Sequence, residues 1–329
     1  MDQKTQIRHA GHVRHVRHEK YHRLIAYCAN LPDEPCAVVH PCDQASLTGA
    51  VRAGEVGLIR PILVGPRARI EAVARDAGLD ISRLELIDTP HSQASVEVGA
   101  RLARDGSVTM LMKGSVFTNE LLSEVVSRDA GLRTDRRISH CFVMDVPLLD
   151  RALIITDGGV NIFPTRAEKV DIVQNATFLA HALGNSQPKV AILSATESVN
   201  PKIQSTLDAA ALCKMADRGQ ITGALLDGPL ALDNAVNLAA AQIKQIQSQV
   251  AGWADILVAP HLEAANMLAK SLSFLADAEA AGIVLGARVP ITLTSRTDSL
   301  ETRLGSAAIA VLLANHQARR TQRKALHAV

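Results

Sequence analysis

The stretch from Lys189 to Gly228, KVAILSATESVNPKIQSTLDAAALCKMADRGQITGALLDG, contains one complete unit of the fold. It opens on KVAILS (189–194), an apolar run too short for a helix. A polar turn follows, then an amphipathic run that stops at Gly219, then a second short apolar run, ITGALLDG (221–228). Short apolar runs bounded by turn residues are buried strands, and a helical pattern that stops at Gly is a helix with its preferred C-terminus. A strand, a crossover helix and a second strand give two parallel strands with the helix laid on one face.

The same alternation extends through the chain. Further apolar runs are CAVVH (36–40), PILVG (61–65), LELID (84–88), VTMLMK (108–113), HCFVMDV (140–146), ALIITD (152–157), ADILVAP (254–260), GIVLG (282–286) and PITLT (290–294). Amphipathic stretches such as SQASVEVGARLARDG and AEKVDIVQNATFLAHALG lie between them. The expected class is α/β, a largely parallel sheet with helices on both faces. HCFVMDV and ALIITD depart from the rule, because PLLDR between them is too short for a crossover helix. They form either a hairpin or the seam between two domains.

Composition supports this class. Of 329 residues, 47% are hydrophobic but only 2% aromatic, so the core is built from Ala, Val, Ile and Leu. The length suits one large or two medium domains. A formal charge of +2 gives no global attraction to nucleic acid, although RHAGHVRHVRHEKYHR (8–23) and ARRTQRK (318–324) are locally basic. Five cysteines without C-x-x-C spacing argue against a disulfide framework or a zinc site and fit a reducing cytoplasm. No apolar stretch is long enough to span a membrane, and the polar start lacks a secretory signal pattern. His9, His12, His15 and His18 recur every third residue, a period that drifts around a helix, so a solvated start is expected there.

Ligands of open α/β sheets bind beyond the carboxyl ends of strands, which directs attention to the turns. Lys113-Gly114-Ser115 with Thr118, before a helix, make a plausible anion cradle, since helix N-termini favour negative charge. The loop GLRTDRRISH places Arg133, Arg136 and Arg137 together, either as phosphate-binding forks or as a solvated basic loop. ITDGGVNIFP with Asn161, SATESVNPK with Asn200 and Lys202, and LDGPLALDN also follow strands, though ordinary turn chemistry explains them equally well. His140 at a strand entry is expected to be a packed histidine. No H-E-x-x-H, G-x-S-x-G, Walker or G-x-G-x-x-G motif occurs, which weakens metallohydrolase, serine hydrolase and nicotinamide dehydrogenase readings. Near the end, PITLTSRTDSL (290–300) sets Ser295, Arg296 and Asp298 where an apolar run stops and a helix starts.

Taken together, MKGSVFTNELL, GLRTDRRISHCFVMDVP, LIITDGGVN, VNPK, STLDAA, DRGQI, DGPLALDNA and LTSR resemble the phosphate acetyl/butyryltransferase family, most closely its short form typified by phosphate butyryltransferase. The similarity runs from about residue 35 to 315. It implies a three-layer α/β/α fold of two domains, like that of isocitrate and isopropylmalate dehydrogenases. The first domain would take residues 1–138 plus 285–329, the second the inserted 139–284, with the active cleft between them.

The resemblance also implies a reversible reaction, acyl-CoA plus phosphate giving acyl phosphate plus CoA, with acetyl favoured over butyryl. No metal or organic cofactor is implied. Neither a membrane nor a nucleic acid is expected as a partner; a homodimer and a functional link to an acyl-phosphate kinase are. Ser295 and Arg296 match the family's central pair, Ser295 as donor to the oxyanion or thiolate and Arg296 as binder of phosphate. Lys113, Gly114, Ser115 and Thr118 match the family turn near the acyl phosphate, and Arg136, Arg137, Asn161, Asn200 and Lys202 stand as binding candidates for phosphate or CoA. Asp298 has two roles open to it, acid/base work or, with Glu301, a capping box for the last helix. One departure stands out: Ser123 occupies the place of a common family arginine, which Arg128, Arg136 or Arg137 would then replace. Rival readings are a dehydrogenase on the same scaffold and a non-catalytic CoA or acyl-phosphate sensor.

Overall fold

The structure, a computed structural model, describes residues 18–295 and 297–326, and of 323–326 the backbone alone. His9, His12 and His15 lie outside the described residues. The first half contains α1 (Glu19–Cys28), β1 (Glu34–Val39), α2 (Gln44–Glu55), β2 (Ile59–Gly65), α3 (Arg67–Asp76), β3 (Glu85–Asp88), α4 (Ser92–Arg104), β4 (Met110–Lys113) and α5 (Thr118–Val125). Then come β5 (Ser139–Asp145), β6 (Leu153–Thr156), α6 (Arg166–Ala182), β7 (Lys189–Leu193), α7 (Gln204–Asp217), β8 (Leu225–Leu230), the short α8 (Leu232–Val236) and α9 (Leu238–Ile243), β9 (Ile256–Val258) and α10 (Leu262–Leu275). The chain ends with β10 (Glu279–Leu285), β11 (Ile291–Thr292) and α11 (Leu300–Leu326).

Each apolar run expected to be a strand contributes to one. In the unit first considered, β7 and β8 pair in parallel around α7, and Gly219 just beyond the helix has φ +73, a conformation that costs glycine little.

All described strands join one sheet in the order β3-β2-β1-β4-β11-β10-β5-β6-β9-β7-β8. Within each half the pairing is mainly parallel, as expected, but the two halves run in opposite directions. The cause is local: β5 and β6 form an antiparallel hairpin, because their connection is too short for a crossover. β10 is antiparallel to both neighbours, pairing with β5 from Glu279↔Asp145 to Leu285↔Ser139 and with β11 at Ile283↔Thr292. The boundaries expected at 138/139 and 284/285 therefore fall at the start of β5 and the end of β10, strands that pair with each other.

Packing differs between the two faces. On one, a continuous apolar cluster runs under α1, α2, α3, α11, α6 and α7, including Leu47, Ile70, Ile309, Leu179 and Leu212. On the other, there are two separate clusters. One lies under α4 and α5 and includes Val96, Leu121 and Ile291; the other lies under α8, α9 and α10 and includes Met144, Ile155 and Ala265. Between those two clusters, over the middle of the sheet, a gap opens.

Candidate active site

The gap is a cleft of about 520 Å³ lined from several directions. Lys113, Val116, Phe117 and Thr118 come from the turn after β4 and the start of α5, and His140 and Phe142 rise from β5. Gly158 and Gly159 follow β6, and α10 contributes Asn266 and Lys270. The segment between β11 and α11 supplies Leu293, Thr294, Ser295 and Asp298. Because the halves run oppositely, the carboxyl ends of β4 and β11 meet that of β6 here.

The first wall is tied down by backbone. The Gly114 N–H donates to the Val39 carbonyl at 2.9 Å. A side chain at Gly114 would collide with the carbonyl oxygens of Val39 and His40, so only glycine permits this approach. Ser115 Oγ donates to the His40 carbonyl at 2.9 Å and accepts from the Cys42 N–H at 3.2 Å. Phe117 precedes α5 without a side-chain cap, so no capping side chain occupies the helix N-terminus beside Thr118.

The second wall is organised by a buried carboxylate. Asp157 accepts from the N–H groups of Gly159, Val160 and Asn161 and from the Asn161 amide at 2.5 Å. Burial pushes its carboxyl up while these bonds pull it down. The bonds hold the loop so that Gly158 and Gly159 face the cleft. Asn161 also donates to the Ile138 carbonyl and accepts from Arg137, so its amide is committed internally.

His140 is 2% exposed and meets Phe142 edge-on with ring centroids 4.4 Å apart. Burial first, and the Lys270 charge second, lower its pKa to about 3, so the ring is neutral at physiological pH. That agrees with the expectation of a packed histidine, although one that also floors the cleft. Asn266 donates to the Gly158 carbonyl at 3.1 Å and fixes α10 to the loop. One turn farther along α10, Lys270 Nζ lies 3.7 Å from Asp298 Oδ1.

The third wall is the turn at Ser295. Asp298 Oδ2 accepts from the Ser295 N–H at 2.6 Å, and Ser295 Oγ lies 3.1 Å from Thr297 Oγ1. Arg303 donates to the Ser295 carbonyl at 2.8 Å and to Thr294 Oγ1 at 3.0 Å. Ser295 is exposed to the cleft, while the Asp298 side chain is 17% exposed. Arg296 lies outside the described residues.

Of the sequence candidates, Lys113, Thr118, Ser295 and Asp298 converge on the cleft, with Gly114 and Ser115 building the turn behind them. The other described candidates do not line it. Arg137 is ion-paired with Glu168 at the start of α6, and Arg136 faces a separate groove between α6 and α11. Asn200 and Lys202 lie in the loop before α7, where the Lys202 N–H donates to Asn200 Oδ1. Ser123 is exposed on α5, and none of Arg128, Arg136 and Arg137 stands in for it at the cleft. Among the described lining residues, the cations are Lys113 and Lys270.

Of the two roles open to Asp298, the capping box with Glu301 is not formed. Ser299 caps α11, its Oγ accepting from the Thr302 N–H at 3.0 Å, while Asp298 turns back to Ser295 and Lys270. The cap lies one residue nearer the helix, which leaves the Asp298 carboxylate facing the cleft. Lys270 and Asn266 went unread because they lie inside a helix; their spacing of four, which puts both on one face, was the available signal.

The family model described as Phosphate acetyl/butaryl transferase matches residues 91–311. A protein named phosphate acetyltransferase from Rhizobium meliloti is 58% identical over 90% of this chain and 93% of its own. One named phosphate butyryltransferase from Clostridium beijerinckii is 39% identical over 90% of this chain and 98% of its own. Among solved structures, a branched-chain phosphotransacylase from Enterococcus faecalis V583 superposes with a TM-score of 0.76 at 28% identity, covering 86% of this chain and 99% of that one.

Proposed function

The chain belongs to the phosphate acetyl/butaryl transferase family, and we propose that it is a phosphate acyltransferase that moves a short acyl group, acetyl by preference, between CoA and inorganic phosphate. The carrying observation is the convergence of Ser295, Asp298, Lys113, Lys270 and Thr118 on one cleft. Butyryl transfer by the same mechanism is the second reading, favoured by the 39% identical relative that carries that name.

In the direction of thioester synthesis, the CoA sulfur attacks the acyl carbon, the carbon–oxygen bond to phosphate breaks, and the thiol proton is lost. Negative charge passes through the carbonyl oxygen, and fixed donors aimed at that position stabilise the transition state. Ser295 Oγ supplies such a donor. Lys113 and Lys270, from two walls, offset the charge of phosphate, and Arg296 beside Ser295 is assigned to the same anion on the strength of the family resemblance. Asp298 is the acceptor for the thiol proton. Arg136, Arg137, Asn161, Asn200 and Lys202 are assigned no contact with reacting atoms. The division into residues 1–138 plus 285–329 and 139–284, a homodimeric assembly, a cytoplasmic location, work beside an acyl-phosphate kinase, and a reaction free of metal or organic cofactor complete the proposal.

The test is to mix purified protein with CoA and either acetyl or butyryl phosphate, without metal or nucleotide, and record thioester formation. Absence of product from both would remove the proposal, and faster turnover of butyryl phosphate would reverse the acyl preference. Ser295→Ala is expected to lower kcat about 100-fold or more, the loss of one donor to an oxyanion. A change within a few-fold would displace Ser295 from the reaction centre.

A further inference from the structure

Arg303 is an unusual occupant of its position. It lies in the first turns of α11, only 8% exposed, and makes no close ion pair among the described residues, although the charges of Asp298 and Asp43 favour its cationic form against burial. A cation near a helix N-terminus opposes the helix dipole, and a buried guanidinium cannot relieve its cost by losing a proton. Helix stability therefore does not account for it.

Its hydrogen bonds do. One terminal nitrogen donates to Thr294 Oγ1 and the other to the Ser295 carbonyl, at 3.0 and 2.8 Å, while Nε is buried without a partner among the described residues. Ser295 is thus held on both sides of its own backbone, by Asp298 at the N–H and by Arg303 at the carbonyl. A neighbouring helix makes room: a Cβ at Gly49 of α2 would stand 2.8 Å from Arg303 Cδ.

We propose that Arg303 is a positioning residue, whose planar guanidinium, seated against Gly49, fixes the Ser295 backbone so that its hydroxyl meets the reacting carbonyl in one geometry. The inference rests on the reading of Ser295 as the reaction centre. A planar fork can bridge two acceptors in fixed directions, whereas a lysine is a single point charge.

Arg303→Met and Arg303→Lys are both expected to lower kcat about 10- to 100-fold, the usual effect of a small misplacement, with KM for acetyl phosphate and CoA within about twofold. Gly49→Ala, which leaves Arg303 in place but presses on it, should lower kcat in the same direction. Methylguanidinium should restore part of the kcat of Arg303→Ala, entering through the cavity of about 320 Å³ that Arg303 shares with Thr48 and Asp298. Hydrogen exchange gives a readout that needs no activity: amides of 291–299 should exchange faster in Arg303→Met while those of β1 and β7 stay as in wild type. If Arg303→Met does not fold, Arg303→Lys and Gly49→Ala carry the same comparison. Unchanged kcat in the active variants, or unchanged exchange at 291–299, overturns the inference. A wild type that makes no thioester, with exchange loosened as expected, overturns the reaction assignment and leaves the positioning role standing.

Discussion

His140 has an ordinary pKa of 6.5 when free and about 3 in the folded chain, because burial excludes its charged form. Between those values the unfolded chain holds a proton that the folded chain does not, so this residue makes stability fall as pH falls from 6.5 towards 3. The slope is about 1.4 kcal/mol per pH unit for one proton. In urea titrations between about pH 6 and pH 4, His140→Gln is therefore expected to lose stability less steeply than wild type by about that amount. Equal slopes would show that His140 is protonated in the fold. The residues differed in how far sequence alone could place them. Ser295 and the Lys113 turn were legible because each stands where a strand stops. Asp298 was legible as important but not in its partner, since Ser299 competes for the same helix end with one residue less to span. Lys270 looked like any solvated helix lysine, because nothing local says that α10 flanks the cleft.

The elements carry the next distinction, between holding α11 and holding the site. Ser299 Oγ, not Asp298, accepts the Thr302 N–H. Ser299→Ala should therefore lower unfolding stability by about 1 kcal/mol, the usual loss of an N-cap, with kcat little changed. Asp298→Asn should do the reverse, lowering kcat while leaving the cap intact. The pair would be refuted if the midpoint of urea unfolding moved with Asp298→Asn and not with Ser299→Ala. Strands and helices were the most legible level, because apolar runs such as CAVVH and KVAILS are short, punctuated and rich in β-branched residues. The direction of β10 was not. Only three residues separate GIVLG from PITLT, too few for a crossover, but its other partner β5 lies far upstream, so nothing local announces that antiparallel pairing.

At the scale of the molecule, the asymmetry between the faces decides how the two halves act together. Over the seam of β5 and β10, α11 lays Ile309 fully buried into the continuous cluster, while the opposite face is split by the cleft. Each half alone would leave a large part of that continuous core in water, which costs roughly 25 cal/mol per Å² of apolar surface. The chain without substrate is accordingly expected to unfold by heat in one transition, with calorimetric and van't Hoff enthalpies that agree. Ile309→Ala removes apolar volume at the seam and should cost about 2 to 5 kcal/mol, moving that transition down as a unit. If CoA occupies the cleft lined from both halves, as proposed, it should raise the transition as a unit too, by about 2.7 kcal/mol at a hundredfold excess over Kd. Two resolved transitions, of which Ile309→Ala or CoA moved only one, would mean that the halves fold separately and that the shared face does not couple them.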